Sequence, residues 1–282
     1  MIYVLCSGGL GNQMFQYAYY RHLIESGRTA VLDTSFFQHS NIHSGYSLDR
    51  SFGINETNTP DHFSSLWRIK YSIMARNKIG RIGNTFMEFE DEYINESMIS
   101  KNAILYGYWQ GQEFFIDSRD KIIKELTFQN ISARSKELSS LMQKENSVAV
   151  HIRRGDYLKN PKYVNLSETN YYHNSLIEVN RRYDSPYIYV FSDDVSWCRN
   201  SGMFAGNTTY VDFNDGQHAY EDMFLMTQAK AIITANSSFS WWAGYLGDHD
   251  LVIRPEKYLN QWTKCQDNRL YPTEWIVGKL GG

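Results

Sequence analysis

Short apolar runs alternate with longer helix-like segments near the start of the chain. Residues 2–5 are apolar, residues 7–11 are rich in glycine, residues 12–26 have helical character, and residues 29–32 form a second apolar run. Strands that alternate with helices at this spacing favour an α/β layer with a parallel sheet. The pattern weakens over residues 36–96, where we expect irregular loops and short helices that shape a binding cleft.

A second alternating series begins near residue 148 and continues almost to the end of the chain. From residue 103 onward we predict strands at 103–106, 148–152, 187–191, 231–234 and 251–253, and helices at 113–126, 169–183, 220–229 and 240–246. These elements indicate two α/β domains, residues 1–140 and 141–282. The change from one to the other falls within the polar stretch 130–147.

Composition narrows the class of protein. The 282 residues are 42% hydrophobic and carry a net charge of −3, so the chain can bury a large core. The overall charge argues against a dedicated nucleic-acid binder or a polybasic membrane-surface protein. Cys6, Cys198 and Cys265 lie far apart, which predicts free thiols in a reducing compartment. We expect neither a signal peptide nor a transmembrane segment.

Two adjacent arginines, Arg153 and Arg154, follow a predicted buried strand and precede Gly155. Ligands of open α/β sheets bind beyond the carboxyl ends of the strands, and guanidinium groups there can grip phosphate oxygens. Because side chains alternate along a strand, we expect one arginine to face a ligand and the other to anchor the layer beneath, on Asp156. The alternative is that both arginines are surface or ion-paired residues.

Hydroxyl side chains cluster where the predicted strand 231–234 runs into a helix. Ser237, Ser238 and Ser240 lie in this turn beside Phe239. A helix N-terminus presents unpaired N–H groups and the positive end of the helix dipole, which together favour phosphate. The alternative is ordinary helix capping, for which one serine suffices.

Further polar and aromatic residues follow other predicted strands. Asp193 and Asp194 offer carboxylates to guanine or ribose, although they would also cap a helix well. Three strand ends of one half thus carry arginine, acid and hydroxyl groups, a set that suits a nucleoside diphosphate. In the first half, the amides of Asn12 and Gln13 suit a polyhydroxylated ligand, and Trp109 is predicted to stack on a sugar face.

Metal chemistry has little support in the sequence. Asp248 and Asp250 form the Asp-x-Asp pattern with which some nucleotide-sugar transferases hold a divalent ion, but an acidic turn is the commoner explanation here. Zinc-ligand spacing and the Gly-x-Ser-x-Gly motif of serine hydrolases are both missing from the sequence. We therefore expect no metal and no cofactor beyond a nucleotide-sugar substrate.

Four motifs cover nearly the whole chain: GGLGNQMFQYA at 8–18, GYWQ at 107–110, HIRRGDY at 151–157 and NSSFSWWA at 236–243. In this order they resemble the motifs of the α-1,2-fucosyltransferases of glycosyltransferase family 11. The resemblance implies a GT-B-like α/β fold with two Rossmann-type halves facing a cleft. Residues 1–140 would then hold the acceptor and residues 141–282 the GDP-fucose. Without an amino-terminal anchor, the chain is similar to the bacterial branch, which implies a cytoplasmic enzyme with scope for peripheral membrane contact.

The resemblance also implies a reaction and a set of residues. L-Fucose would move from GDP-β-L-fucose to the 2-hydroxyl of a terminal β-galactoside, an oligosaccharide or surface glycan, with inversion and without a divalent metal. The implied catalytic residues are Arg153, Asn12 and Asp156. The implied donor-binding residues are His151, Arg153, Asp193, Ser237, Ser238 and Phe239, and from their position and chemistry we add Asp194, Ser240, Gly9 and Gly11. Taking the side-chain chemistry and the resemblance together, we predict that the acceptor-binding residues are Asn12, Gln13, Asp33, Trp109 and Gln110.

Two questions stay open at this stage. The general base has three candidates, and a loose, oxocarbenium-like path with late proton loss would need no strong base. The alternatives to the activity itself are fucosyl transfer to another position, transfer of another GDP-sugar, and a non-catalytic nucleotide- or sugar-binding protein. The base candidates are Asp33, Asp156 and Glu113.

Overall fold

The computed structural model describes residues 1–40, 45–56, 61–89, 96–204 and 206–281. The chain divides into two compact units, Met1–Gln129 and Asn130–Gly282. This boundary lies eleven residues before the predicted division after residue 140. The difference arises because the helix Ala133–Met142 packs against the helix Ala219–Thr227 and therefore belongs to the second unit.

The first unit is built on a mostly parallel sheet. Its described strands are β1 (Ile2–Leu5), β2 (Ala30–Asp33), β3 (Arg81–Ile82), β4 (Thr85–Met87) and β5 (Ala103–Tyr106). They lie in the order β2-β1-β5-β4-β3, and only the pairing of β3 with β4 is antiparallel. The carboxyl ends of β1, β2 and β5 therefore meet at one edge of the sheet.

Helices cover this sheet. They are α1 (Leu10–Glu25), α2 (Phe36–His39), α3 (Leu48–Phe52), α4 (Ser65–Arg76) and α5 (Arg119–Glu125). Helix α1 packs against β1 and β2. It ends just before Gly27, whose φ of +81° suits a residue without a side chain. The core near α4 contains Leu5, Phe63, Tyr71, Met74, Met87 and Ile104.

Two predictions for the first unit are wrong in part. The segment 36–96 contains a twelve-residue helix, α4, and a strand of the main sheet, β4, besides the loops and short helices that we expected. Within that segment, residues 41–44, 57–60 and 90–95 lie outside the described residues. The predicted helix 113–126 is instead two 3₁₀ turns followed by α5, because Phe114 and Phe115 both turn into the core.

The second unit has a six-stranded sheet in which every pairing is parallel. Its strands are β6 (Ser147–Ile152), β7 (Tyr187–Ser192), β8 (Thr208–Val211), β9 (Ala231–Ile233), β10 (Leu251–Pro255) and β11 (Ile276–Gly278), in the order β11-β10-β9-β6-β7-β8. All six residues of β6 are buried, as expected for a parallel strand that is covered on both faces. The predicted α/β class with parallel sheets is confirmed.

Helices connect these strands. They are α6 (Ala133–Met142), α7 (Tyr171–Arg182), α8 (Val195–Asn200), α9 (Ala219–Thr227), α10 (Ser238–Leu246) and α11 (Lys264–Leu270). One continuous core includes residues of β6, β7, β9 and β10 together with Tyr171, Tyr172 and Val179 of α7. The sheet positions the predicted donor-binding residues of this unit, because they lie at or beyond the carboxyl ends of its central strands.

Candidate functional site

The central strands of the second unit bring three predicted segments side by side. Strand β6 lies between β9 and β7 and is parallel to both, with Ile152 opposite Ser192 and Val150 opposite Ile233. The segments that begin at Arg153, Asp193 and Thr234 therefore leave the same edge of the sheet. The order of strands in the sequence predicts this juxtaposition.

Arg153 is held at this edge by two carboxylates. Its Nη2 lies 2.8 Å from Oδ1 of Asp156, and its Nε lies 3.3 Å from Oδ2 of Asp193. Burial opposes its positive charge, but the two acids more than offset this and raise the pKa of Arg153. The guanidinium is thus a permanent cation that keeps 29% of its side-chain surface exposed. An anionic ligand can therefore replace one of the two carboxylates as the partner of this guanidinium.

Arg154 has a different environment from its neighbour. Its Nε lies 3.3 Å from Oδ2 of Asp194, its Nη1 donates to Ser167, and its guanidinium carbon lies 3.7 Å from the centre of the Trp197 ring. Asp194 also caps α8 by accepting a hydrogen bond from the Trp197 N–H. These contacts make Arg154 the arginine that anchors the layer beneath the strand ends. The predicted anchor on Asp156 is wrong, because Asp156 pairs with Arg153.

Gly155 allows Asp193 to approach the backbone closely. A Cβ atom at position 155 would lie 2.6 Å from Oδ2 of Asp193, too close for any side chain. The other oxygen of Asp193 accepts a hydrogen bond of 2.9 Å from the Arg154 N–H. The Arg-Arg-Gly sequence thus fixes one carboxylate beside Arg153.

His151 is a buried, neutral imidazole beneath this edge. Its ring centre lies 5.7 Å from that of Phe239, and its Nδ1 is buried without a hydrogen-bond partner among the described residues. Burial lowers the pKa of His151 to about 3, and the positive charge of Arg153 acts in the same direction. A buried polar nitrogen of this kind costs stability until something bonds to it, so a ligand could supply the missing partner.

The burial of His151 predicts acid sensitivity. The unfolded chain takes up a proton near pH 6.5, whereas the folded chain does so only near pH 3, so stability falls as the pH drops from 6.5 towards 3. Between pH 7 and pH 5 this residue should remove up to about 2 kcal/mol from the free energy of unfolding. Urea denaturation at both pH values should show this loss reduced in His151→Gln.

The matched control for this experiment is His173→Gln, because His173 is an exposed histidine in the same unit. Between the two pH values, the free energy of unfolding should change by the same amount in His173→Gln as in the unchanged protein. An equal pH dependence in His151→Gln and the unchanged protein would contradict the inference.

The serine cluster divides into capping and partly exposed residues. Ser237 caps α10, since its Oγ accepts a hydrogen bond of 3.3 Å from the Phe239 N–H. Ser240 is fully buried, and its Oγ accepts a hydrogen bond of 3.0 Å from the Ala235 N–H. The Ser240 side chain thus has an internal partner, and its donor contact stays a prediction. Ser238 and Phe239 remain partly exposed at the start of α10.

In the first unit, the structure joins two predicted acceptor-binding residues. Asn12 lies in the first turn of α1, and Gln110 follows β5; the Gln110 Nε2 donates a hydrogen bond of 2.9 Å to Oδ1 of Asn12. Both side chains are partly exposed. Gly8, at φ +81°, makes room for Asn12, whose Nδ2 would lie 3.0 Å from a Cβ atom at position 8. This amide pair stays a predicted acceptor contact.

Gln13 is fully buried and ties two loops together. Its Nε2 donates to the carbonyl oxygens of Gly8 and Gly45 at 2.9 and 3.0 Å, and its Oε1 accepts from the Ser47 N–H at 2.8 Å. Because the amide is used internally, contact with an acceptor would require these bonds to break, and the predicted acceptor contact of Gln13 stays a prediction. Gly9 precedes α1 and Gly11 lies buried in its first turn, and their predicted donor contacts stay predictions.

Trp109 belongs to the core. Its ring is fully buried and stacks on Tyr19 with the ring centres 4.7 Å apart. The structure favours a core role for this ring, and its stacking on a sugar stays a prediction that mutation can test. The residue that holds this loop is Glu88, which no sequence motif identified. Its Oε2 accepts hydrogen bonds of 2.7 and 2.6 Å from the N–H groups of Tyr108 and Trp109.

Asp33 forms a pair with a histidine that sequence reasoning missed. Its Oδ2 lies 2.6 Å from Nδ1 of His62, and its Oδ1 accepts a hydrogen bond of 2.9 Å from the Ser35 N–H. The carboxylate of Asp33 is fully buried, whereas His62 retains 13% of its side-chain surface. The structure thus gives Asp33 an internal partner, and its acceptor contact stays a prediction. The sequence showed no motif around His62 that could have identified this pair.

The geometry as a whole defines a type of protein. Each unit is a Rossmann-type α/β layer, and the second carries a permanent cation, a neutral imidazole and a helix N-terminus at the carboxyl edge of its sheet. No three His, Cys, Asp or Glu side chains of the described residues are grouped so that they could hold a metal ion. Among the same residues, no helix is both long and apolar enough to cross a membrane. The fold is that of GT-B-like glycosyltransferases.

Comparison with known proteins supports this assignment and gives the family. The sequence profile described as glycosyl transferase family 11 matches residues 68–279, and the chain belongs to this family. An α-1,2-colitosyltransferase of Escherichia coli is 34% identical over 287 residues, which cover 96% of each chain. A mouse galactoside 2-α-L-fucosyltransferase, Sec1, is 27% identical over 276 residues, 89% of this chain and 66% of its own.

A solved structure shares the architecture. The fucosyltransferase NodZ from Bradyrhizobium aligns with a TM-score of 0.51 over 87% of this chain and 92% of its own, at 13% sequence identity. At that identity the similarity concerns the fold alone. It agrees with the predicted GT-B-like architecture.

Proposed function

We propose that this protein transfers L-fucose from GDP-β-L-fucose to the 2-hydroxyl of a terminal β-galactoside, with inversion at the anomeric carbon. One observation carries the proposal: three adjacent strand ends of the second unit place Arg153, Asp193 and the start of α10 at the same edge of the sheet. Family membership supports glycosyl transfer, and the names of two relatives support an α-1,2 linkage.

The chemistry of the leaving group suits this edge. When the bond between C1 of fucose and the β-phosphate oxygen breaks, negative charge develops on GDP. We assign its stabilisation to Arg153, whose planar guanidinium can donate two parallel hydrogen bonds to phosphate oxygens. The partly exposed Ser238 and the first turn of α10 support the phosphate side, and the unpartnered Nδ1 of His151 supports a contact with guanine. In this proposal no divalent ion takes part.

The acceptor is assigned to the first unit. Asn12 and Gln110 offer a bonded pair of amides to sugar hydroxyls. The proton of the attacking 2-hydroxyl must leave as the new bond to C1 forms, and its recipient stays open. Since Asp33 is fully buried, a proton would reach that carboxylate only through His62, while Asp156 keeps 55% of its side-chain surface exposed.

A second donor has a specific observation in its favour. The relative that is 34% identical over 96% of both chains is named for colitosyl transfer. Colitose is L-fucose without its 3-hydroxyl group, so one site could accept both sugars unless a polar group pairs with that hydroxyl. A site built to bond a hydroxyl rejects the deoxy analogue strongly, by roughly 10⁴-fold or more.

The decisive assay compares both donors directly. Purified protein is incubated with GDP-fucose or GDP-colitose and a panel of glycans that end in β-galactose, and the linkage of each product is determined by NMR. We expect an α-1,2-fucosylated product and undiminished transfer in EDTA. Product formation that needs a divalent ion would favour the Asp248/Asp250 site instead. Retained GDP binding without product on any acceptor would contradict the enzymatic proposal.

A further inference from the structure

Helix α4 exposes two isoleucines one turn apart. Ile69 is 60% exposed and Ile73 is 48% exposed, and residues at this spacing lie on the same helix face. They line a shallow groove together with Arg68, Ser72, Arg76 and Asn77. Single exposed apolar residues are ordinary, but a pair framed by two arginines forms a mixed apolar and cationic surface.

The opposite face of α4 is fixed in the core. Tyr71 and Met74 are buried, and Tyr71 stacks on Tyr106 of β5 with the ring centres 4.7 Å apart. The outward face is consequently presented by a helix that is anchored to the sheet. Turning Ile69 and Ile73 inward would expose Tyr71 and Met74, so the exposed isoleucines are a fixed property of the surface.

Charge is concentrated in the same part of the chain. Residues 62–87 contain five lysines and arginines and no aspartate or glutamate, although the whole chain has a net charge of −3. Arg68 and Arg76 are exposed beside the two isoleucines. Lys70 points towards the sheet, where its Nζ donates a hydrogen bond of 2.6 Å to Thr85. The overall charge thus conceals a locally cationic face.

We propose that this face, consisting of Arg68, Ile69, Ser72, Ile73 and Arg76, docks onto the surface of a membrane that contains anionic phospholipids. A helix lying in a membrane interface needs apolar side chains that enter the acyl boundary and cations beside them at the level of the headgroups. The isoleucine pair and the two arginines meet both requirements. Because charges of one sign repel each other, the same surface is poorly suited to pairing with a second copy of itself.

A second helix provides a matched control. Helix α7 also exposes an isoleucine, Ile177 at 41%, and two arginines, Arg181 and Arg182. Both of these arginines lie within 3.4 Å of Glu178, which compensates one of their two positive charges, and this helix exposes one isoleucine instead of two. Variants of α7 therefore remove the same residue types from a surface that should not bind lipid.

Sedimentation with vesicles tests the proposal without any substrate. The full chain should bind vesicles of phosphatidylglycerol and phosphatidylcholine, bind phosphatidylcholine alone weakly, and dissociate in raised salt. Arg68→Gln with Arg76→Gln should lower the partition coefficient about tenfold or more. Ile69→Ser with Ile73→Ser should also lower it severalfold, and circular dichroism verifies that each variant is folded. Ile177→Ser with Arg181→Gln and Arg182→Gln should bind as the unchanged protein does.

Three outcomes would overturn the proposal. They are equal binding to neutral and anionic vesicles, an equal loss in the α7 variant, and a face that associates with itself. In the last case, analytical ultracentrifugation would show that the unchanged protein is a dimer and that the variant Ile69→Ser with Ile73→Ser is a monomer. The unchanged protein would then not bind vesicles. Because the measurement needs neither donor nor acceptor, its result is independent of the proposed fucosyl transfer.

Discussion

Arg153→Ala is expected to lower turnover by about a hundred- to a thousandfold, the range observed when one preorganised donor to a developing negative charge is removed. The variant should still fold, because the Arg153 side chain is partly exposed and its ion pair with the more exposed Asp156 contributes little to stability. Initial rates with GDP-fucose, together with calorimetric titration of GDP, would separate lost catalysis from lost donor binding.

Two further variants make this experiment specific. Arg153→Lys keeps a positive charge but loses the planar fork, so its turnover should lie between those of the alanine variant and the unchanged protein. Arg181→Ala removes an arginine of the same unit that is 72% exposed, and it should be active. Near-normal turnover in Arg153→Ala would show that the leaving group is stabilised elsewhere.

Trp109→Ala is expected to destabilise the first unit by about 3–5 kcal/mol, the usual cost of deleting a large buried aromatic side chain. The Trp109 ring stacks on Tyr19 and meets the edge of Phe114 with the ring centres 5.8 Å apart, so its loss would leave a cavity in the core. Urea denaturation of the variant should show a much lower transition midpoint. A sugar-stacking role would instead raise the KM for the acceptor at unchanged stability.

Tyr108→Ala is the matched control for Trp109. Tyr108 precedes it in the same loop but is 42% exposed, so its replacement should cost little stability. If an aromatic side chain of this loop contacts the acceptor, the KM should rise in the Tyr108 variant. A stable Trp109→Ala protein with a raised KM would restore the original interpretation of Trp109.

The sequence was most informative about the second sheet, for a physical reason. Apart from His151, the run at residues 148–152 is apolar because a parallel strand is covered on both faces, and it stops where the backbone meets solvent. The ends of parallel strands gather at one edge, so residue types read off three separate segments could be placed together. The structure brings Arg153 and Asp193 within 3.3 Å of each other.

Sequence reasoning failed where a role depends on contacts between distant segments. Gln13 and Asn12 have similar side chains and adjacent positions, yet Gln13 is buried in the protein whereas Asn12 is partly exposed. The partner of Asp33 is a histidine 29 residues away, and the carboxylate that fixes the Trp109 loop is 21 residues away. The helical period of α4 was obscured because apolar residues occur on both of its faces.

The two units meet in the sequence without a spacer. Gln129 bonds to the first unit through the Ser51 and Phe52 carbonyl oxygens, and the next residue, Asn130, accepts a hydrogen bond from Tyr220 of the second. This peptide bond is therefore the natural crossover point for chimaeras that combine the first unit of one relative with the second unit of another. Such hybrids should keep asparagine or glycine at position 130, where φ is +54°. Under the proposed assignment of the acceptor to the first unit and the donor to the second, they would allow acceptor preference and sugar-nucleotide preference to be exchanged as separate modules.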